Sequence, residues 1–125
     1  MRSISRLKTA ASAAILGLGL TGQALAHAHL TSAVPAENGT VATVPTELDL
    51  KFSEELNLKF TGVKVTGPDK KAVATGAASL ASGDETGLVV PISATLAPGK
   101  YIVAWHALSK DGHKTHGTYS FTVKP

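Results

Sequence analysis

An all-β fold, a single Greek-key sandwich or barrel of about seven strands, is predicted by three features of this 125-residue chain. Apolar and polar residues alternate in several short segments, first in Leu48, Leu50 and Phe52 against Asp49, Lys51 and Ser53, the period of a strand with one buried face. Turn-forming clusters recur every ~8 to 12 residues. Beyond residue 26 no stretch carries a helical period.

The first strand is expected over 29–34, ending at Pro35-Ala36-Glu37-Asn38-Gly39, where Asn-Gly suits a tight turn. Pro45 opens the next strand, which runs through Phe52 and stops at Ser53-Glu54-Glu55-Leu56-Asn57. Residues 60–66 form a third around Val63 and Val65, closed by Gly67-Pro68-Asp69-Lys70-Lys71. Small residues dominate 72–81 and set no register there. Gly83-Asp84-Glu85 reads as a turn before an apolar strand over 88–92, whose Pro91 marks an edge or an end. Ala97-Pro98-Gly99 turns the chain into its strongest strand, 100–108, with Tyr101, Val103, Trp105 and Ala107 on one face. A polar loop, Ser109-Lys110-Asp111-Gly112-His113-Lys114, leads to the last strand, 115–123, in which Gly117, Tyr119, Phe121 and Val123 alternate with polar partners. By this alternation His106 and His116 face outward, while Phe52, Tyr101, Trp105 and Phe121 belong to the core.

The stretch before these strands has a different character. Arg2, Arg6 and Lys8 precede an apolar run over 10–20, a break at Thr21-Gly22-Gln23, and small-large-small Ala24-Leu25-Ala26. That order is a secretory signal peptide, residues 1–26, cleaved after Ala26. The apolar run falls short of the ~20 residues that span a bilayer, so residues 27–125 are expected as one exported domain that is not membrane-inserted. The formal charge of +3 belongs to the leader: without Arg2, Arg6 and Lys8 the 12 basic residues fall to the number of acidic ones, 9. No charge-based case for nucleic acid survives.

Cleavage makes His27 the first residue, with an α-amine and an imidazole able to close a chelate ring on one metal ion. The chain has no cysteine, and its one methionine is Met1. A disulfide, a thiolate zinc site and a blue-copper site are therefore excluded, as is a thioether site for Cu(I) once the leader is removed. Any metal must be held by nitrogen and oxygen. All five histidines, His27, His29, His106, His113 and His116, lie beyond the leader. In Asp111-Gly112-His113 a glycine that permits a tight turn separates a carboxylate from an imidazole. Alone, that is an ordinary Asp-Gly turn beside a solvated histidine. Joined to His27 it supplies three nitrogens and one oxygen, a set suited to tetragonal Cu(II), which heads the divalent affinity order. A rival chelate is local: the amine, the Ala28 and His29 amides, and the His29 imidazole, which requires both amides to be deprotonated and is closed if they are paired in the fold.

His27-Ala28-His29-Leu30, Pro35-Ala36-Glu37, Leu50-Lys51-Phe52-Ser53-Glu54, Tyr101-Ile102-Val103-Ala104-Trp105, Ser109-Lys110-Asp111-Gly112-His113 and Gly117-Thr118-Tyr119-Ser120-Phe121-Thr122-Val123 together resemble the CopC family of periplasmic copper-resistance proteins. The resemblance runs the length of 27–125. It implies a cupredoxin-like or immunoglobulin-like Greek-key fold, a periplasmic location, a Cu(II) site built from His27, Asp111 and His113, and an inner-membrane copper transporter of the CopD type as partner. Glu54 matches a glutamate that the family places near copper, an accessory role at most; His29 is the other accessory candidate. Some members carry a methionine-rich loop for Cu(I), but residues 64–80 here contain neither methionine nor histidine, which implies the Cu(II)-only kind.

Three functional classes remain at this level. The first is a monomeric copper carrier without catalysis. The second is an oxidative enzyme, since a terminal histidine chelate with a further histidine resembles the copper brace of polysaccharide monooxygenases; against it, the domain is small and Asp111 would fill a place that oxygen chemistry needs open. The third is an immunoglobulin-like interaction module with incidental histidines.

Overall fold

The computed structural model describes residues 28–125; the expected leader and His27 lie outside the described residues. Two open sheets stack face to face, a sandwich rather than a closed barrel. One has four strands in the order β1 (Leu30–Val34), β3 (Glu47–Phe52), β7 (Asp84–Pro91), β6 (Ser79–Ala81). The other has five: β2 (Gly39–Val41), β9 (Lys114–Val123), β8 (Gly99–Leu108), β4 (Gly62–Thr66), β5 (Ala72–Val73). The only helical turn among the described residues is a 3-10 turn at Leu58–Phe60.

Alternation decides which side chains fill the space between the sheets. Leu48, Leu50 and Phe52 enter from β3, Leu88 and Val90 from β7, and Tyr101, Val103, Trp105 and Ala107 from β8, opposite Tyr119, Phe121 and Val123 of β9. Phe52 and Trp105 meet edge to face, with centroids 5.2 Å apart and planes at 72°, and so join the two sheets. Tyr101 stacks on its register partner Phe121 at 5.4 Å, and its hydroxyl donates to the Ala97 carbonyl at 2.6 Å.

Among the described residues nine strands stand where about seven were expected, because β2, β5 and β6 are only two or three residues long. The expected turn Gly83-Asp84-Glu85 is present but lies earlier, at Ser82-Gly83: β7 begins at Asp84, which pairs with Ala81 across a register shift. Its carboxylate accepts from Lys51 Nζ at 2.8 Å and from the Thr86 amide at 3.0 Å. Those bonds, the lysine first, pull its pKa down to about 2. Pro91 closes β7, at the strand end that its missing N–H favours.

Two core positions yield tests. Trp105 lies flat over its partner Gly117, where a Cβ would sit 2.7 Å from Cζ2 of the indole. Gly117→Ala should therefore cost about 1–3 kcal/mol in urea unfolding, the usual range for overpacking. The Tyr119 hydroxyl is buried without a hydrogen-bond partner among the described residues. Burial, with the charges of Glu37 and Asp49 adding to it, pushes that phenol above its ordinary 10.0. Tyr119→Phe should then leave stability unchanged or raise it by about 1 kcal/mol, since it removes an unsatisfied group. The wild type should also lose more stability than the variant as pH rises past 10, because the unfolded phenol ionises first.

Candidate metal centre

The loop between β8 and β9 is closed by its own polar groups. The Ser109 amide donates to the His113 carbonyl at 3.0 Å, and the Gly112 amide donates to the Ser109 carbonyl at 2.9 Å. Gly112 takes φ +93°, a backbone conformation that glycine tolerates and L side chains rarely adopt. Within this turn Asp111 Oδ1 and His113 Nδ1 come within 3.1 Å, each side chain 41% exposed. The Ser109 hydroxyl, buried beneath them, donates to Asp111 Oδ1 and accepts from the His113 amide at 3.2 Å. These bonds hold the Asp111 carboxyl below its ordinary 3.8, Ser109 first and His113 next. One carboxylate and one imidazole are thus held side by side, each side chain partly exposed although His113 Nδ1 itself is buried.

Neighbouring segments converge on the same end of the sandwich. Leu56 bridges to Ser109, the Lys110 amide donates to the Glu55 carbonyl at 3.0 Å, and the Lys110 ammonium pairs with Glu85. The start of the described chain is fixed there as well: Thr115 Oγ1 donates to the carbonyl of fully buried Ala28 at 2.7 Å. The His29 amide donates to Ser53 Oγ at 2.9 Å, and the His29 carbonyl accepts from the Ser53 amide at 2.9 Å.

Of the residues singled out from sequence, Asp111 and His113 are brought together, and His27 lies outside the described residues. His29 sits at the same end with its amide engaged by a side chain rather than by a strand ladder. Glu54 occupies the half-buried position between Ser53, bonded to His29, and Glu55, bonded to Lys110. His106 and His116 are exposed register partners on the outer face of the five-stranded sheet. Among the described residues no group of three or more His, Cys, Asp or Glu gathers as a metal cluster. Sequence reasoning missed Ser109, Ser53 and Thr115. Only Ser109 left a signal, since a serine in a loop readily bonds to nearby backbone groups.

Fold and site together define a two-sheet β-sandwich with a nitrogen-and-oxygen donor pair at the end where its first strand begins. The chain belongs to the CopC family, whose CopC domain matches residues 30–124. It is 44% identical over 105 residues to protein YobA of Escherichia coli K12, covering 84% of this chain and 85% of that one. Among solved structures it resembles CopC from Methylosinus trichosporium OB3b, with TM-score 0.73 and 30% identity over 79% of this chain and 95% of the other. It also resembles PcoC, a methionine-rich copper resistance protein from Escherichia coli, with TM-score 0.70 and 36% identity over 79% of this chain and all of that one.

The clamp on Asp111 is testable directly. Ser109→Ala should raise the Asp111 pKa toward 3.8, because it removes the largest cause of the depression. Carboxyl-carbon NMR titration reads the change; an unmoved pKa would show that His113 alone holds the carboxylate.

Proposed function

We propose that the chain is an exported copper protein that captures one Cu(II) ion and sequesters or delivers it without catalysis. The observation that carries this reading is the Asp111–His113 pair, set by a buried serine, with Ala28 anchored to Thr115 two residues beyond His113. His27 precedes Ala28, and cleavage after Ala26 would give it a free amine. The ligand set is then the His27 amine and imidazole, the His113 imidazole and the Asp111 carboxylate. The donor chemistry fits: imidazole nitrogen and carboxylate oxygen both suit Cu(II), and the 3.1 Å contact between His113 Nδ1 and Asp111 Oδ1 keeps the two side chains together. Relatedness to a copper resistance protein supports copper as cargo. That relative is methionine-rich, whereas this chain has only Met1, which favours Cu(II) over Cu(I).

Glu54 and His29 stay outside the ligand set. The local chelate would have to strip the proton from the His29 amide and break its bond to Ser53, whereas the long-range set leaves that bond intact. Location in the periplasm and hand-over to a CopD-type membrane transporter complete the reading. Capture needs an unprotonated terminal amine, whose ordinary pKa is ~7.7–8.0, so affinity should fall as pH drops through that range. Asp111 stays ionised throughout it, because its pKa lies below 3.8. The nitrogens therefore set the pH dependence.

Three measurements test the proposal. Mass spectrometry of the exported protein should find His27 at the amino terminus; any other start removes the bidentate ligand. His113→Ala should weaken Cu(II) binding by orders of magnitude at neutral pH and shift the electron paramagnetic resonance spectrum toward the four-nitrogen type of the local chelate. His29→Ala should leave the wild-type spectrum nearly unchanged. If instead His29→Ala abolishes tight binding and His113→Ala spares it, the terminal peptide alone is the site.

A further inference from the structure

His106 and His116 take no part in the site above, yet the β8–β9 register sets them directly opposite each other. Antiparallel partners alternate between hydrogen-bonded pairs and non-hydrogen-bonded ones, and in the latter the Cα atoms are only ~4.5 Å apart. Four bonds fix which kind this is. The Ser109 amide bonds the His113 carbonyl, so 109 and 113, next in register after Leu108↔Lys114, are a hydrogen-bonded pair. The Leu108 amide turns away from β9 to Thr61 Oγ1 at 3.1 Å, and its carbonyl accepts from the Asn57 amide at 2.8 Å. The Ser120 carbonyl turns away from β8 to accept from the Asn38 amide at 2.7 Å. Even-numbered residues of this hairpin therefore form the non-hydrogen-bonded pairs. His106 and His116 are one of them, and both are exposed.

We infer that His106 and His116 form a second, weaker site for a borderline divalent transition-metal ion, Cu(II) foremost, on the outer face of the five-stranded sheet. Two imidazoles on β-carbons ~4.5–5.5 Å apart can each place a nitrogen ~2.0–2.1 Å from one ion. Imidazole selects copper, nickel and zinc over calcium and magnesium. The His106 ring lies over Gly62, where a Cβ would stand 3.2 Å from Cε1, so facing His116 takes a side-chain rotation. Exposed side chains make such rotations in picoseconds to nanoseconds. Each histidine borders open space that admits a hydrated ion. His116 lines a cleft of about 350 Å³ with His29 and Thr118, and His106 lines a groove of about 290 Å³ with Phe60, Lys59 and Lys114. The two lysines oppose a cation, and the one carboxylate lining either space among the described residues is Glu37 on the His116 side, so water supplies most of the coordination. This makes the site the weaker and more labile of the two.

The test is titration of the exported protein with Cu(II) beyond one equivalent, followed by calorimetry and electron paramagnetic resonance. A second equivalent should bind more weakly than the first. His106→Asn and His116→Asn should each weaken that second event by roughly tenfold or more while leaving the first equivalent's spectrum unchanged. His29→Ala should leave it intact. In His113→Ala the second event should persist even though the first is impaired, which separates this inference from the proposed function. No second equivalent at saturating Cu(II), a second event that survives both asparagine variants, or one that only His29→Ala removes would each overturn it.

Discussion

The register of the β8–β9 hairpin is the constraint on which the rest of the molecule depends. It runs unbroken from Gly99↔Val123 to Leu108↔Lys114, and a slip of one residue would turn every side chain to the opposite face. In the observed register Tyr101, Val103, Trp105, Tyr119, Phe121 and Val123 all face β3 and β7. The same register ends at Ser109 and His113, so the loop that follows must place its donors at the sheet's end. It also turns Thr115 inward, where its hydroxyl catches the Ala28 carbonyl. Core, donor loop and anchoring of the chain's start thus follow from one pairing.

At the site end, polar bonds take over from apolar packing. Thr61 and Ser109 are the buried polar residues among those described, and both are used as fasteners. Thr61 Oγ1 donates to the Asn57 carbonyl at 2.8 Å and accepts from the Leu108 amide, which ties the 3-10 turn to the last residue of β8. Ser109 does the same work one residue later, on Asp111 and the His113 amide. Each such bond contributes only about 0.5–1.5 kcal/mol net, so the apolar core must supply most of the stability of a chain without cysteine. What the fasteners add is position. A donor pair already in place spares an incoming ion much of the ordering cost of binding.

How far sequence reading reached depends on how far the chemistry was local. Strands of five or more residues with one buried face, β3, β8 and β9 above all, announce themselves by alternation. β2, β5 and β6 are too short to show a period, and β2 exists because β9 offers it a parallel edge, a tertiary fact. Asp84 looked like a turn residue because its composition is that of a turn; its strand conformation comes with a lysine on β3 that no local pattern reveals. The pairing of Asp111 with His113 was legible because both lie on one short loop. The anchoring of Ala28 by Thr115 was not, since 87 residues separate them.

That separation bears on how a copper carrier of the proposed kind would work. Its ligands come from opposite ends of the chain, so they are assembled only when the start of the chain is anchored against β9, and binding an ion adds to the stability of the folded sandwich. A carrier must also let go. The Asp111 and His113 side chains are each 41% exposed, at the end of a hairpin rather than beneath it, so a receiving protein can reach the ion while it is still held. The Ser109 bonds keep the Asp111 and His113 side chains together while leaving both partly exposed. Deeper burial would have excluded competing ligands along with water and turned a carrier into a trap. Exposure sets how readily the cargo can be exchanged, while the serine clamp and the hairpin register supply the geometry that would hold it.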